Sequence, residues 1–221
     1  MFRPSCLLLA LLLATVPVRG TIGEALQLQL GNPSGATADP ANQTRYLIRR
    51  AQYGLDYNNT THEPNWVSWN LTAGDSGASG RGDFATDTSL PNGFRRVTPG
   101  DYTNSGFDRG HMCPSADRTM TETDNQVTFL MSNIIPQTPD QNQGVWANFE
   151  SYCRALANIG HELLIVSGPG GFGGTAIASG VAIPGFAWKI VVAVPVGPGA
   201  AATRITAATR VIALKIPNIA G

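Results

Sequence analysis

The chain has 221 residues, 15 basic and 15 acidic side chains and three histidines, so it carries no formal net charge at neutral pH. That balance excludes a protein that coats nucleic acid through bulk positive charge, but it leaves room for a local basic site. Beyond the N-terminal run no stretch is long and apolar enough to be a membrane span: Ile183 to Val196 is broken by Pro184 and Pro195 and carries Lys189.

The first segment, MFRPSCLLLALLLATVPVRG, reads as a signal peptide over residues 1–20. Arg3 gives a short positive start, Cys6 to Val16 is an apolar run too short for a permanent span, and Val18 and Gly20 are small residues suited to a cleavage site. The expected product is exported, to the medium or the periplasm. Without the leader 13 basic side chains face 15 acidic ones; 11 of the 13 are Arg and only Lys189 and Lys215 are Lys. Guanidinium forks suit bidentate phosphate contacts.

Residues 21–44 form an N-terminal extension with a Gly/Pro/Asn-rich loop at 31–42, and residues 45–221 a single domain. Tyr46–Ile48 and Tyr53–Tyr57 predict two strands, arranged as a hairpin. Trp66–Leu71 alternates apolar and polar residues like a half-buried strand. Residues 73–83 and 91–104 predict irregular, exposed chain. A helix begins near Gln141, with Val145, Trp146, Phe149, Tyr152, Cys153, Leu156 and Ile159 at helical spacing, and stops at Gly160. Glu162–Gly168, Phe186–Val194 and Arg210–Ile216 predict three further strands, and the Gly-rich run 168–174 a turn or flexible loop. Strands on both sides of a helix, without regular alternation, indicate an α+β domain on a largely antiparallel sheet flanked by helices.

Two clusters carry chemistry. In Asp108-Arg109-Gly110-His111, imidazole supplies a base near neutral pH, and Arg109 a cation for charge developing on phosphoryl oxygens. On a strand Arg109 and His111 share a face. Asp108 is placed to orient a neighbouring side chain. In the helix that follows, Asn142, Glu150 and Arg154 fall along one flank of the apolar stripe, where they could line a cleft. Taken alone, Glu150 and Arg154 read equally as an exposed i,i+4 pair worth ~0.3–0.5 kcal/mol. His62 reads as exposed and inert, and His161-Glu162 as the edge of a strand.

Order and spacing of DRGH at 108–111, SNIIPQ at 132–137 and NQGVWANFE at 142–150 resemble the DNA/RNA non-specific endonucleases, a family of ββα-metal nucleases. The resemblance spans roughly residues 45 to 220. It implies that His111 deprotonates water for in-line attack on phosphorus, with one Mg2+ (or Mn2+ in its place) held directly by Asn142 and otherwise by water. Glu150 would hold water of the metal's shell, and Arg109 and Arg154 would neutralise phosphate. Arg81, in RGDFATD, sits where the family has a further substrate-binding Arg. DNA and RNA are the implied substrates, and the implied contacts are directed at phosphate rather than bases. Two other readings stay open here: a module that binds nucleic acid without turnover, and a phosphodiesterase for a small diester.

Two expectations remain. Cys113 and Cys153 would come close enough for a disulfide if the helix packs on the DRGH strand. Family members also continue past Val211–Gly221 with a segment that includes a helix packed on the sheet. Its absence here would leave apolar surface exposed.

Overall fold

The computed structural model describes residues 24–219; the leader at 1–20 lies outside them. Six strands, β1 (Tyr46–Arg49), β2 (Gly54–Asn58), β3 (Glu63–Leu71), β6 (His161–Gly170), β7 (Phe186–Pro195) and β8 (Arg210–Pro217), form one antiparallel sheet in the order β1-β2-β3-β6-β7-β8. The predicted first hairpin is present, with Tyr46 opposite Tyr57 and Arg49 opposite Gly54. Between the neighbours β3 and β6 the chain departs to build the rest: β4 (Asp108–His111) paired with β5 (Ile134–Gln137), α1 (Glu122–Thr128) and α2 (Ala147–Asn158).

The main core lies between one face of the sheet and α2. It joins Leu55, Val67, Trp69 and Val191 to Met112, Trp146, Cys153 and Leu156. The apolar periodicity that predicted the helix is therefore the stripe that covers the sheet. The helix is not straight from Gln141, however. Asp140–Trp146 is a π-helical turn, Gly144 leaves helical geometry (φ −96°, ψ −108°), and regular α2 starts at Ala147. Gly160 ends it at φ +97°, where a side chain would be strained.

β3 is buried on both faces rather than one. The polar residues of its alternation are roofed by the N-terminal extension: Ser68 Oγ donates to the Gln27 carbonyl at 2.6 Å, and Asn70 N donates to Gln27 Oε1 at 2.9 Å. Alternation shows which residues share a face, not whether that face meets solvent. The Gly-rich run is partly strand as well, because β6 continues to Gly170. A Cβ on Gly168 would come within 2.4 Å of the Asn65 carbonyl and 2.9 Å of the Trp188 ring, so close approach, not loop flexibility, selects glycine there. α1 was missed, although Thr121 at its N-cap accepts from Asp124 N at 3.0 Å.

The cysteines do not pair. Cys113 and Cys153 are both buried free thiols in the main core, and burial raises both their pKa values. β8 is largely exposed, with Val211 at 57% and, beside it on β7, Ile190 at 38%. The chain beyond it is tied inward through Asn218, which accepts from Thr138 N at 2.8 Å and donates to the Pro136 and Pro184 carbonyls, both at 2.9 Å.

Glu63, at the start of β3, is fully buried, and neither carboxyl oxygen has a hydrogen-bonding partner among the described residues. Burial alone raises its pKa well above the ordinary glutamate value. Between those two values the unfolded chain has released the proton while the native chain keeps it. Stability therefore falls as pH rises through that window, by ~1.4 kcal/mol per pH step. Glu63→Gln is expected to remove this dependence, so that its melting temperature gains on the parent protein from about pH 5 to about pH 7. Parallel melting-temperature curves for the two proteins across that range would show that Glu63 is not held protonated.

Candidate active site

β4 supplies two of the site residues. It pairs with β5 in register Asp108–Gln137 to His111–Ile134. Gly110 admits the Gln137 side chain across the strand, where an added Cβ would sit 1.9 Å from Gln137 Oε1. After the strand, buried Asn133 secures the chain by accepting from Cys113 N at 3.0 Å and donating to the Cys113 and Thr128 carbonyls at 2.9 and 2.8 Å.

His111 and Arg109 do address one region, as their shared face predicts, and the residue between them is Phe84. The His111 ring lies 5.3 Å from Phe84 and 4.8 Å, edge to face, from Phe129; the Arg109 guanidinium lies 5.2 Å from the Phe84 ring. Arg81 approaches the same two phenyl rings at 5.7 and 5.1 Å. Phe84 thus touches the candidate base and two cations. Sequence reading missed both Phe84 and Phe129, since an aromatic carries no signal that separates a site wall from core.

Burial first, and the Arg81 guanidinium second, lower the pKa of His111 to about 3. Its Nε2 is buried with no hydrogen-bonding partner among the described residues, while its main-chain carbonyl accepts from Trp146 Nε1 at 3.3 Å. The imidazole is neutral at neutral pH and retains an unshared pair. Arg109 is steered by the Pro99 carbonyl, to which Nε and Nη2 donate at 3.1 and 2.9 Å. The exposed loop bearing Arg81 is pinned by Gly82 N donating to Asn125 Oδ1 at 3.0 Å, and further along by buried Asp87 bound to Arg50 and Ser132, both at 2.6 Å.

Asn142 lies before the break at Gly144 and is half-buried. Its Nδ2 donates to Asp108 Oδ2 at 2.9 Å, and Gln143 Nε2 donates to the same oxygen at 2.8 Å. Asp108 therefore orients Asn142, and the Asn142 amide oxygen has no donor among the described residues. A single fixed amide oxygen beside a carboxylate fits a hard cation that keeps most of its water. Among the described residues no group of three His, Cys, Asp or Glu side chains stands together to hold a metal.

The break changes the expected helix face. Asn142 is not on the α-helix with Glu150 and Arg154, so one helical wheel does not place all three. Nor do Glu150 and Arg154 pair with each other. Glu150 Oε1 lies 3.5 Å from Lys189 Nζ, and Arg154 Nη1 bonds Asp117 Oδ1 at 3.0 Å. Burial raises the Glu150 pKa to about 7 against the opposing pull of Lys189. Lys189 and Asp117 had no assigned role in the sequence reading.

His62 is half-buried rather than exposed, with φ +63° and an unpartnered Nδ1, and lies apart from the DRGH cluster in the β2–β3 turn. His161 and Glu162 open β6, as expected of the edge of a strand, and Glu162 bonds Asn70 at 2.7 Å and Arg204. A concavity of about 520 Å3 lies between the Arg81 loop and α1 and is lined by neither His111 nor Asn142. His111, Arg109 and Asn142 stand instead on β4 and the π-helical turn.

A large antiparallel sheet with a β4–β5–α2 unit inserted between two of its central strands is the fold of the ββα-metal nucleases. The family model for DNA/RNA non-specific endonucleases matches residues 30–218, and the chain belongs to that family, whose members are metal-dependent nucleases. It is similar to a nuclease of a Nostoc species, 46% identical over 220 residues covering 96% of this chain and 80% of the relative. It is also similar to nuclease C1 of Cunninghamella echinulata (34% over 148 residues, 64% of this chain and 55% of the relative). Bovine mitochondrial endonuclease G is 33% identical over 169 residues, 71% of this chain and 54% of the relative. The chain thus spans most of the Nostoc protein and about half of the other two. A solved structure, a crystal structure of the EndoG/EndoGI complex, matches with a TM-score of 0.69 at 25% identity, over 88% of this chain and 79% of that one.

The sheltered imidazole predicts that the His111 ring resonances do not move between about pH 5 and about pH 8, whereas an ordinary histidine titrates near 6.5. Phe84→Ala should open the shelter and bring a titration into that range. An NMR titration showing His111 protonating near 6.5 in the unsubstituted protein would contradict the geometry.

Proposed function

We propose that this chain is a secreted, metal-dependent endonuclease that hydrolyses phosphodiester bonds in DNA and RNA without sequence preference, with His111 as general base. The observation that carries this reading is a neutral imidazole with an unshared nitrogen, walled by two phenyl rings and flanked by Arg81 and Arg109. An unprotonated imidazole can accept a proton from water, and a phosphate bound at Arg81 and Arg109 would offset the cationic charge that lowers its basicity. Export is proposed from the composition of residues 1–20, and residues 45–221 are proposed as the nuclease domain with 21–44 as its N-terminal extension.

The geometry supports the following roles. His111 accepts the proton of the attacking water. Arg81 and Arg109, held over Phe84, bind the substrate phosphate, and Arg154 contributes from α2. Asn142, oriented by Asp108, is the one side chain that would hold Mg2+ directly, and Mn2+ would serve as a substitute. When bound, the metal would supply Lewis-acid stabilisation of charge on the phosphoryl and departing 3′ oxygens. Glu150 would order water next to Asn142. Every group so placed is directed at phosphate or water, which suits substrates that differ in sugar and base.

Mature protein is expected to degrade supercoiled plasmid and total RNA with Mg2+ and to stop on addition of EDTA. His111→Ala should lower kcat roughly 10^2- to 10^4-fold, the range that a positioned general base contributes. If folded protein with Mg2+ cuts neither polymer, the nuclease reading falls. Full activity in the folded variant would instead remove His111 from its role.

A further inference from the structure

Alternate residues Ala187, Val191 and Ala193 of β7 face the main core, and the two-residue period of the strand puts Lys189 on the same face. Its side chain is 1% exposed. The ammonium lies 4.1 Å from the Trp146 ring centre and 5.3 Å from that of Trp69, with Glu150 Oε1 at 3.5 Å. Two indole faces and one carboxylate are the partners a cation needs at such a depth. An apolar side chain of similar volume would commonly serve packing as well or better, so stability alone does not explain a lysine here.

The surroundings point to a use. Glu150 and Arg154 stand i and i+4 on α2, a spacing at which opposite charges ordinarily meet. Here each is taken by a different element: Glu150 by Lys189 of β7, and Arg154 by Asp117, whose other oxygen accepts from Trp69 Nε1 at 3.0 Å. Trp146, over which the Lys189 ammonium sits, also donates to the His111 carbonyl. Lys189 therefore joins the sheet to the helix that bears Glu150 and to the ring that touches the strand of the base.

We infer that Lys189 is a positioning residue for Glu150, drawing its carboxylate toward the sheet and away from Arg154 so that the two groups act separately at the substrate. This rests on the nuclease reading above. Remove the ammonium and the nearest cation on the same helix face is Arg154. Pairing with it would turn Glu150 from its place and draw off a phosphate-binding guanidinium.

The test combines Lys189→Met, Glu150→Gln and the double variant. In single-turnover nicking of supercoiled plasmid, K189M is expected to lower the rate tenfold or more at saturating substrate, with the half-saturating concentration within twofold. Placed on E150Q, the same substitution should change the rate less than threefold, because a residue that acts through Glu150 has nothing left to position. In urea unfolding with EDTA present, the K189M midpoint should fall below that of the double variant, since the single change strands a buried carboxylate and the double change removes both charges. If K189M does not fold, the comparison of E150Q with the double variant alone decides. A further tenfold loss there, a loss carried by substrate affinity, or additive urea midpoints would overturn the inference. Absence of cutting by the unsubstituted protein would instead count against the nuclease reading, and the urea cycle would still report on the pair.

Discussion

Asp117 and Arg118 bury opposite charges side by side, each 1% exposed, and much of the molecule is held in place through them. Arg118 donates to the Gln52 carbonyl of the first hairpin, the Asn70 carbonyl near the end of β3 and Gln27 of the N-terminal extension, and lies 3.5 Å from Asp75. Asp117 faces the other way, to Trp69 in the sheet and Arg154 in α2. A guanidinium is the one side chain that can satisfy several separated carbonyls from a single buried point without losing its charge. The dipeptide ends the segment that begins with DRGH. The chain that left the sheet after β3 is thereby fastened back to β3 a few residues beyond His111.

From that fastening the two halves of the site acquire different characters. Around half-buried His111 two phenyl rings lie against the imidazole and the neighbouring Arg81 cation favours its neutral form. Beneath α2 charges are paired across elements, and burial brings the Glu150 carboxyl close to neutrality in its titration. The two environments meet where Trp146, the last residue of the π-helical turn, donates to the His111 carbonyl of β4.

Periodicity exposed what depends on neighbours along the chain. The first hairpin, the three late strands, the apolar stripe of α2 and its stop at Gly160 follow from local spacing. The DRGH cluster was legible because its residue types and order carry chemistry together. What stayed hidden depends on contacts between distant segments. Trp66–Leu71 looks half-buried until Gln27, some forty residues earlier, is seen to cover Ser68 and Asn70. Lys189 looked like a break in an apolar run, although its alternation with Ala187 and Val191 placed it in the core. Glu150 and Arg154 looked like partners because helical spacing says nothing of Lys189 and Asp117. The cysteines approach one core without pairing, which no count of thiols reveals.

The π-helical turn has a consequence for how such an enzyme can be altered. An uninterrupted α-helix would yoke Asn142 rigidly to Glu150, so that any rotation tuning one would swing the other. The departure at Gly144 uncouples them: residues 140–143 take their bearings from Asp108, Thr138 and the far end of the sheet, while α2 takes its own from the core. Gln141 even donates to the Ile216 carbonyl at 2.8 Å, so this turn is anchored to the last strand as well as to the helix it precedes. The fold therefore has a seam, along which residues 140–143 can be exchanged as a four-residue cassette while α2 and Glu150 stay where they are.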